Sequence, residues 1–260
     1  MKNAEPKYRG WTMGDLEGLN ILITDIEHFV GRPGAKALLD AGATVYGTDP
    51  AFADPQNREK AEAALPGLKA VAGADPVVAA GRVLEEANRI DVLINNDAFP
   101  ALRAPVDTAK DEDLEATYEA LLFKPFRVTR AVVPTMKNSG SGKIIFLTSA
   151  APLNGLPNYS MYASARGAAN SLMLSLSREL ARDNIQVNAI APNFIESPDY
   201  FPPELMADET TRKKILKNIP LGRLGKPEEA AALIAFLAGP QAGFITGQVI
   251  PLAGGWANAR

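Results

Sequence analysis

The 260-residue chain reads as a doubly wound α/β fold, a parallel sheet of about seven strands with helices on both faces. Two observations predict it. Short apolar runs alternate with stretches of helical pattern, as repeated βαβ units with right-handed crossovers require. The runs are apolar at almost every position rather than at every second one, as strands covered on both faces must be.

Taken in order, residues 1–17 form a polar lead-in, read as an N-terminal extension, and 18–260 as a single domain. NILIT, beginning at Asn20, is the first strand, and PGAKALLDAG carries the helix after it. TVYGTD follows and closes near Asp49. DVLINND, counted as the fourth strand, ends on Asn95, Asn96 and Asp97. GKIIFLTS is the fifth and ends at Ser149. MYASARGAANSLMLSLSRELARDN is a long helix, IQVNAIAPN another strand, and GQVIPLAGG closes the pattern. In such a sheet the ligand lies beyond the carboxyl ends of the strands.

Composition narrows the function. With 47% hydrophobic and 22% charged residues the chain is an ordinary soluble globule. A net charge of -3 makes no electrostatic case for nucleic acid or an anionic membrane. No apolar run approaches the roughly 20 residues that span a bilayer. MKNAEPKYRG is not patterned as a signal peptide, so a cytoplasmic protein is expected. Zero cysteines exclude disulfides and thiolate chemistry, and a single histidine, His28, argues against a histidine zinc site or a Ser-His-Asp triad. No metal is expected.

Chemistry concentrates at three strand ends: the turn after the first strand, Asn95-Asn96-Asp97, and Ser149. Tyr162 and Arg166 follow Ser149 on a helix, four residues apart and therefore on one face. A permanent guanidinium beside a phenol favours the phenolate, although burial opposes it. Tyr162 is thus a candidate general base, with Ser149 orienting a substrate oxygen.

From about Gly18 to Gly255 these features resemble the short-chain dehydrogenase/reductase superfamily. The residues that carry the likeness are Asn95-Asn96, the Ser149/Tyr162 pair, VNAIAPN and GQVIPLAGG. The resemblance implies a Rossmann-like sheet, but several positions depart from it. The superfamily pairs its tyrosine with lysine where this chain has Arg166. Its glycine-rich turn, T-G-x-x-x-G-x-G, becomes Thr24, Asp25, Phe29 and Gly31. Leu121 stands where an asparagine is usual, Asp97 where an alanine is, and Asn193 in place of a loop glycine. Asp49 could mimic a ribose-binding acid and is read as a turn residue.

Together, T-x4-F-x-G and S-x12-Y-x3-R look like halohydrin dehalogenase, a branch of the superfamily that lost its cofactor. That resemblance implies Ser149, Tyr162 and Arg166 as catalytic residues and no cofactor. It implies a vicinal halohydrin or epoxide as substrate and a halide or other small anion held by Phe29, Pro192, Asn193, Phe194 and Ile195. It places Asp97 near Arg166 in a proton relay and suggests a homo-oligomer, a tetramer. His28 reads as a turn residue and Trp256 as a packing residue. FPPELMADETTRKKILKN reads as a variable segment over the substrate. Two other readings remain open. One is a divergent NAD(P)-dependent reductase using Tyr159 or Tyr162 with Arg166. The other is a degenerate member without activity.

Overall fold

The computed structural model describes residues 16–258. Residues 1–15, most of the expected extension, lie outside the described residues. Leu16, which the sequence reading assigned to that extension, is buried against the core, and its N–H donates to Ala41 O at 2.9 Å.

The elements run β1 (Asn20–Ile23), α1 (Gly31–Asp40), β2 (Thr44–Gly47), α2 (Pro55–Ala64), β3 (Leu68–Ala70), α3 (Pro76–Ala87), β4 (Val92–Asn95), α4 (Asp111–Tyr118) and α5 (Lys124–Ser139). They continue with β5 (Gly142–Leu147), α6 (Ala151–Asn154), α7 (Ser160–Leu180), β6 (Ile185–Pro192), α8 (Pro203–Ala207), α9 (Glu209–Leu216), α10 (Pro227–Ala238) and β7 (Val249–Leu252). The seven strands lie in the order β3-β2-β1-β4-β5-β6-β7, every neighbouring pair parallel. The order reverses between β1 and β4, which opens a crevice at their carboxyl ends. The one strand that no apolar run marked is β3, an edge strand of three residues with a single buried position.

Strand periodicity divides the core. Ile21 and Ile23 of β1 face a cluster with Leu38 of α1 and Ile234 of α10. Leu22 between them faces the opposite cluster, with Val128 and Val132 of α5 and Met173 of α7. Successive side chains of a strand point to opposite faces, so the central strands are apolar on both sides.

The turn from β1 into α1 is tight. A Cβ at Gly31 would meet Ile26 O at 2.4 Å and Ile26 Cα at 2.7 Å, backbone atoms that move only if the turn moves. Gly81, within α3, has nothing within 4 Å of the same position. Gly31→Ala should therefore lower stability by about 1–3 kcal/mol, as overpacking does. Gly81→Ala should raise it by roughly 0.5–1 kcal/mol through helix propensity. Urea midpoints of the two variants check this, and a Gly31→Ala chain as stable as its parent would remove the constraint.

Candidate active site

Ser149 lies just past β5, and its Oγ accepts from the Ala151 N–H at 3.0 Å. That bond fixes the oxygen at the start of α6 and leaves the hydroxyl proton free to be donated. Tyr162 and Arg166 lie on the first turns of α7, and Arg166 Nε donates to the Tyr162 hydroxyl at 3.3 Å. The helical spacing thus does what the sequence reading required. Arg166 Nη1 donates to Leu147 O and Nη2 to Asp97 O, each at 2.9 Å, and Nη2 also reaches the Tyr200 hydroxyl at 3.4 Å. The guanidinium is only 2% exposed. Burial works against its charge, yet the phenols of Tyr162 and Tyr200 hold it above the usual arginine range.

The turn after β1 keeps the backbone of a glycine turn while carrying other side chains. Asp25 has φ 45° and Phe29 φ 48°, both in the left-handed region that favours glycine. Asn96 braces the turn, its Nδ2 donating to Asp25 O at 2.9 Å and to His28 O at 3.0 Å. The Asp25 carboxylate accepts from the Ala98 N–H at 3.2 Å and pairs with Lys124 Nζ at 2.5 Å. The same ammonium lies 3.3 Å from Asp97 Oδ1, close enough for an ion pair although that oxygen has no well-directed hydrogen bond. Burial pushes the Asp97 carboxyl up to about 6. Lys124 pulls it down, Asp25 pushes it further up, and Arg166 pulls it down. Asp97 therefore stands near Arg166 as expected, but only its carbonyl meets the guanidinium. Its carboxyl faces Lys124.

Phe29 donates its N–H to Asp199 Oδ2 at 2.5 Å, and His28 Nδ1 lies 2.9 Å from Asp199 Oδ1. An acid therefore sits in the turn and one of the turn's N–H groups is already used. Phe29 also lines the cavity beside Tyr162. These residues do not fit the pyrophosphate of a dinucleotide. Asp49 is a turn residue, accepting from the Ala51 N–H at 2.9 Å.

Ser149, Tyr162 and Arg166 open on a cavity of about 530 Å³. Phe29, Tyr200 and the loop Pro192-Asn193-Phe194-Ile195 wall it, and Tyr159 also lines it. Phe201, Leu205 of α8 and Ile215 of α9 come from the segment expected over the substrate. The loop Pro192-Asn193-Phe194-Ile195 has few N–H groups to spare. Pro192 has none, Asn193 donates to Leu252 O at 3.1 Å, and Phe194 donates to its neighbour Asn193 Oδ1 at 2.9 Å. In this loop that leaves Ile195, whose N–H has no protein acceptor among the described residues. Asp97 does not line the cavity.

Leu121 lies in a single π-helical turn and is buried with Tyr162 and Ala165, an apolar contact where the superfamily carries a polar group. Trp256 packs perpendicular to Phe194 with ring centroids 5.6 Å apart. Sequence reasoning missed Lys124, Asp199 and Tyr200. The only local hint was a charged residue inside LLFKPF and an aromatic in SPDYF. Among the described residues no group of three His, Cys, Asp or Glu side chains is placed to hold a metal, and no helix is long and apolar enough to cross a membrane.

The model of a family described as enoyl-(acyl carrier protein) reductase matches residues 27–257. The chain belongs to this family of the short-chain dehydrogenase/reductase superfamily. It is 35% identical over 253 residues to a 3-oxoacyl-[acyl-carrier-protein] reductase of Thermotoga maritima, covering 92% of this chain and 98% of that one. Among solved structures it is similar to a dehalogenation enzyme, with 47% identity and a TM-score of 0.91 over 94% of this chain and 100% of that one. It is also similar to a halohydrin dehalogenase bound to ethyl (2S)-oxiran-2-ylacetate, with 36% identity, a TM-score of 0.88, and 93% and 98% of the two chains covered.

The Asp97 carboxyl gives a pH test. Its folded pKa lies above the roughly 3.9 of an unfolded aspartate. The protonated form is the one that folding favours, so this stabilisation is present below about pH 4 and is lost as pH rises through about 6. Asp97→Asn cannot titrate, so its stability relative to the parent should rise between pH 4 and 7. Denaturant melts across that range measure it, and a constant difference would show that Asp97 ionises normally.

Proposed function

We propose that this enzyme is a cofactor-independent halohydrin dehalogenase, a carbon–halide lyase that converts vicinal halohydrins to epoxides. It also opens epoxides with halide, azide, cyanide or nitrite. One observation carries the reading. The Ser149, Tyr162 and Arg166 constellation faces a cavity whose turn holds Asp25 and Phe29 at the positions of the nucleotide-binding glycines. The two dehalogenating relatives among solved structures support it.

In this mechanism Ser149 donates a hydrogen bond to the substrate hydroxyl oxygen and Tyr162, as phenolate, takes its proton. The alkoxide attacks the adjacent carbon from the side opposite the halogen. The C–O bond forms as the carbon–halogen bond breaks, and halide leaves with the bonding pair. Negative charge grows on the halogen, where fixed donors stabilise it as it develops. The Ile195 N–H, the Phe29 ring edge and the apolar loop walls would serve a large, weakly hydrated anion. Asp97 lies behind Arg166, its carbonyl accepting from Nη2, so a proton relay through its carboxyl would need water to link it to Tyr162. The protein is proposed to be a cytoplasmic homo-oligomer. Exposed Phe123 just before α5, Phe126 on it and Leu174 on α7 are apolar surface that such an assembly would cover.

The sequence relatives favour a second reading, a divergent NAD(P)-dependent reductase. Halide release from 1,3-dichloro-2-propanol with no cofactor added decides for the lyase. Saturable NADPH binding with substrate reduction, and no halide, would decide for the reductase.

Tyr162→Phe should abolish halide release while Tyr159→Phe retains most of it, and Ser149→Ala should lose about a hundred-fold or more by loss of orientation. The opposite ranking of the tyrosines would reassign the base. Bromide should inhibit as a product, and azide should drive consumption of a terminal epoxide. Phe29→Ala should weaken bromide inhibition without creating NADH affinity, because Asp25 and Lys124 still fill the turn. Equal inhibition in that variant would remove Phe29 from the nest.

A further inference from the structure

We infer that Tyr200 is a positioning residue of this site, a second phenol that holds the Arg166 guanidinium so that Nε faces Tyr162. Asp199 beside it ties that phenol to the β1–α1 turn. The positioning follows from geometry alone, and its catalytic consequence rests on the dehalogenase reading.

The two phenols meet one guanidinium on different terms. The Tyr200 hydroxyl donates its proton to Phe99 O at 3.0 Å, which leaves its oxygen to accept from Arg166 Nη2 and from the Phe99 N–H, each at 3.4 Å. Burial pushes the Tyr200 phenol above the usual tyrosine range, so it stays neutral and serves Arg166 only as an acceptor. The Tyr162 hydroxyl, by contrast, has Arg166 Nε as its one hydrogen-bond partner among the described residues and otherwise faces the cavity. One phenol is thus bound on both sides and the other is free to exchange a proton. Pairs of like groups held in unlike environments divide their roles in this way.

The ring of Tyr200 is placed from two further directions. It stands perpendicular to the Phe29 ring, with centroids 5.4 Å apart at 88°, and lies 6.4 Å from the Tyr162 ring. Asp199 accepts the Phe29 N–H and contacts His28 Nδ1, so the segment after β6 is fastened to the turn after β1. Planar guanidinium donors discriminate by direction, unlike an ammonium. Removing the Tyr200 hydroxyl leaves Nη2 with Asp97 O alone and releases the tilt of the fork.

Tyr200→Phe keeps the ring and its packing and tests the hydroxyl. The kcat for halide release should fall about ten-fold with KM within about two-fold, and the acid limb of the pH–rate profile should move to higher pH. A readout independent of turnover is the 15N–1H resonance of Arg166 Nε, recognised by its loss in Arg166→Lys. Its exchange with water should be slow in the parent and about ten-fold faster in Tyr200→Phe. If Tyr200→Phe does not fold, Asp199→Ala leaves both phenols and the guanidinium in place and should accelerate the same exchange by unfastening the segment. Unchanged exchange in the folded variant overturns the inference, whatever the activity. Faster exchange in a protein that releases no halide upholds the positioning and refutes the dehalogenase reading.

Discussion

Everything at this site depends on keeping one guanidinium charged inside the protein. An ion of that size loses several kcal/mol of effective solvation when buried, and the protein must return it through directed contacts. Arg166 has no carboxylate in hydrogen-bond contact. Its donors go instead to main-chain carbonyls at the ends of β4 and β5 and to two phenols. A parallel sheet leaves such carbonyls unpaired at its carboxyl edge, so the fold itself supplies a cradle for a planar fork. Lysine, a point charge on a flexible stem, could not answer four acceptors spread around a plane.

The second constraint follows from the first. Positive charge in the crevice is matched by Asp97 and Asp25, and Lys124 lies between those two carboxyls. Asp25 can occupy this place because its backbone tolerates a left-handed turn, and the bonds to Ala98 and Lys124 reward it for doing so. The turn is therefore an electrostatic part of the site as well as a wall of the cavity. Phe29 closes the same turn sterically, with Asp199 and Tyr200 packed against it.

Six strands were legible in the sequence as mostly apolar runs, and the long helix by its helical pattern. Edge strand β3 was not, since three residues with one buried side chain carry no period. Ser149, Tyr162 and Arg166 were legible because their geometry is set locally, by a strand end and by helical spacing. Lys124, Tyr200 and Asp199 act across 99, 34 and 170 positions of chain, so nothing in their own neighbourhood announces a partner. The free donors of the loop after β6 were not legible for a related reason. Which N–H groups of the loop after β6 remain free depends on Leu252 and on the rotamer of Asn193, neither of which the loop's own pattern specifies.

The ion pairs of the β1–α1 turn also bind its residues into one unit that single substitutions disturb. Replacing Asp25 by glycine would restore the backbone but strip Lys124 of its nearest counter-ion and leave the ammonium on Asp97 alone. Replacing Phe29 by glycine would empty the ring's space while Asp199 still held the N–H. Each single step toward a phosphate-binding turn therefore disturbs the interior before any ligand is there to stabilise it. A turn that accepts a nucleotide would need Asp25, Phe29, Lys124 and Asp199 to change together.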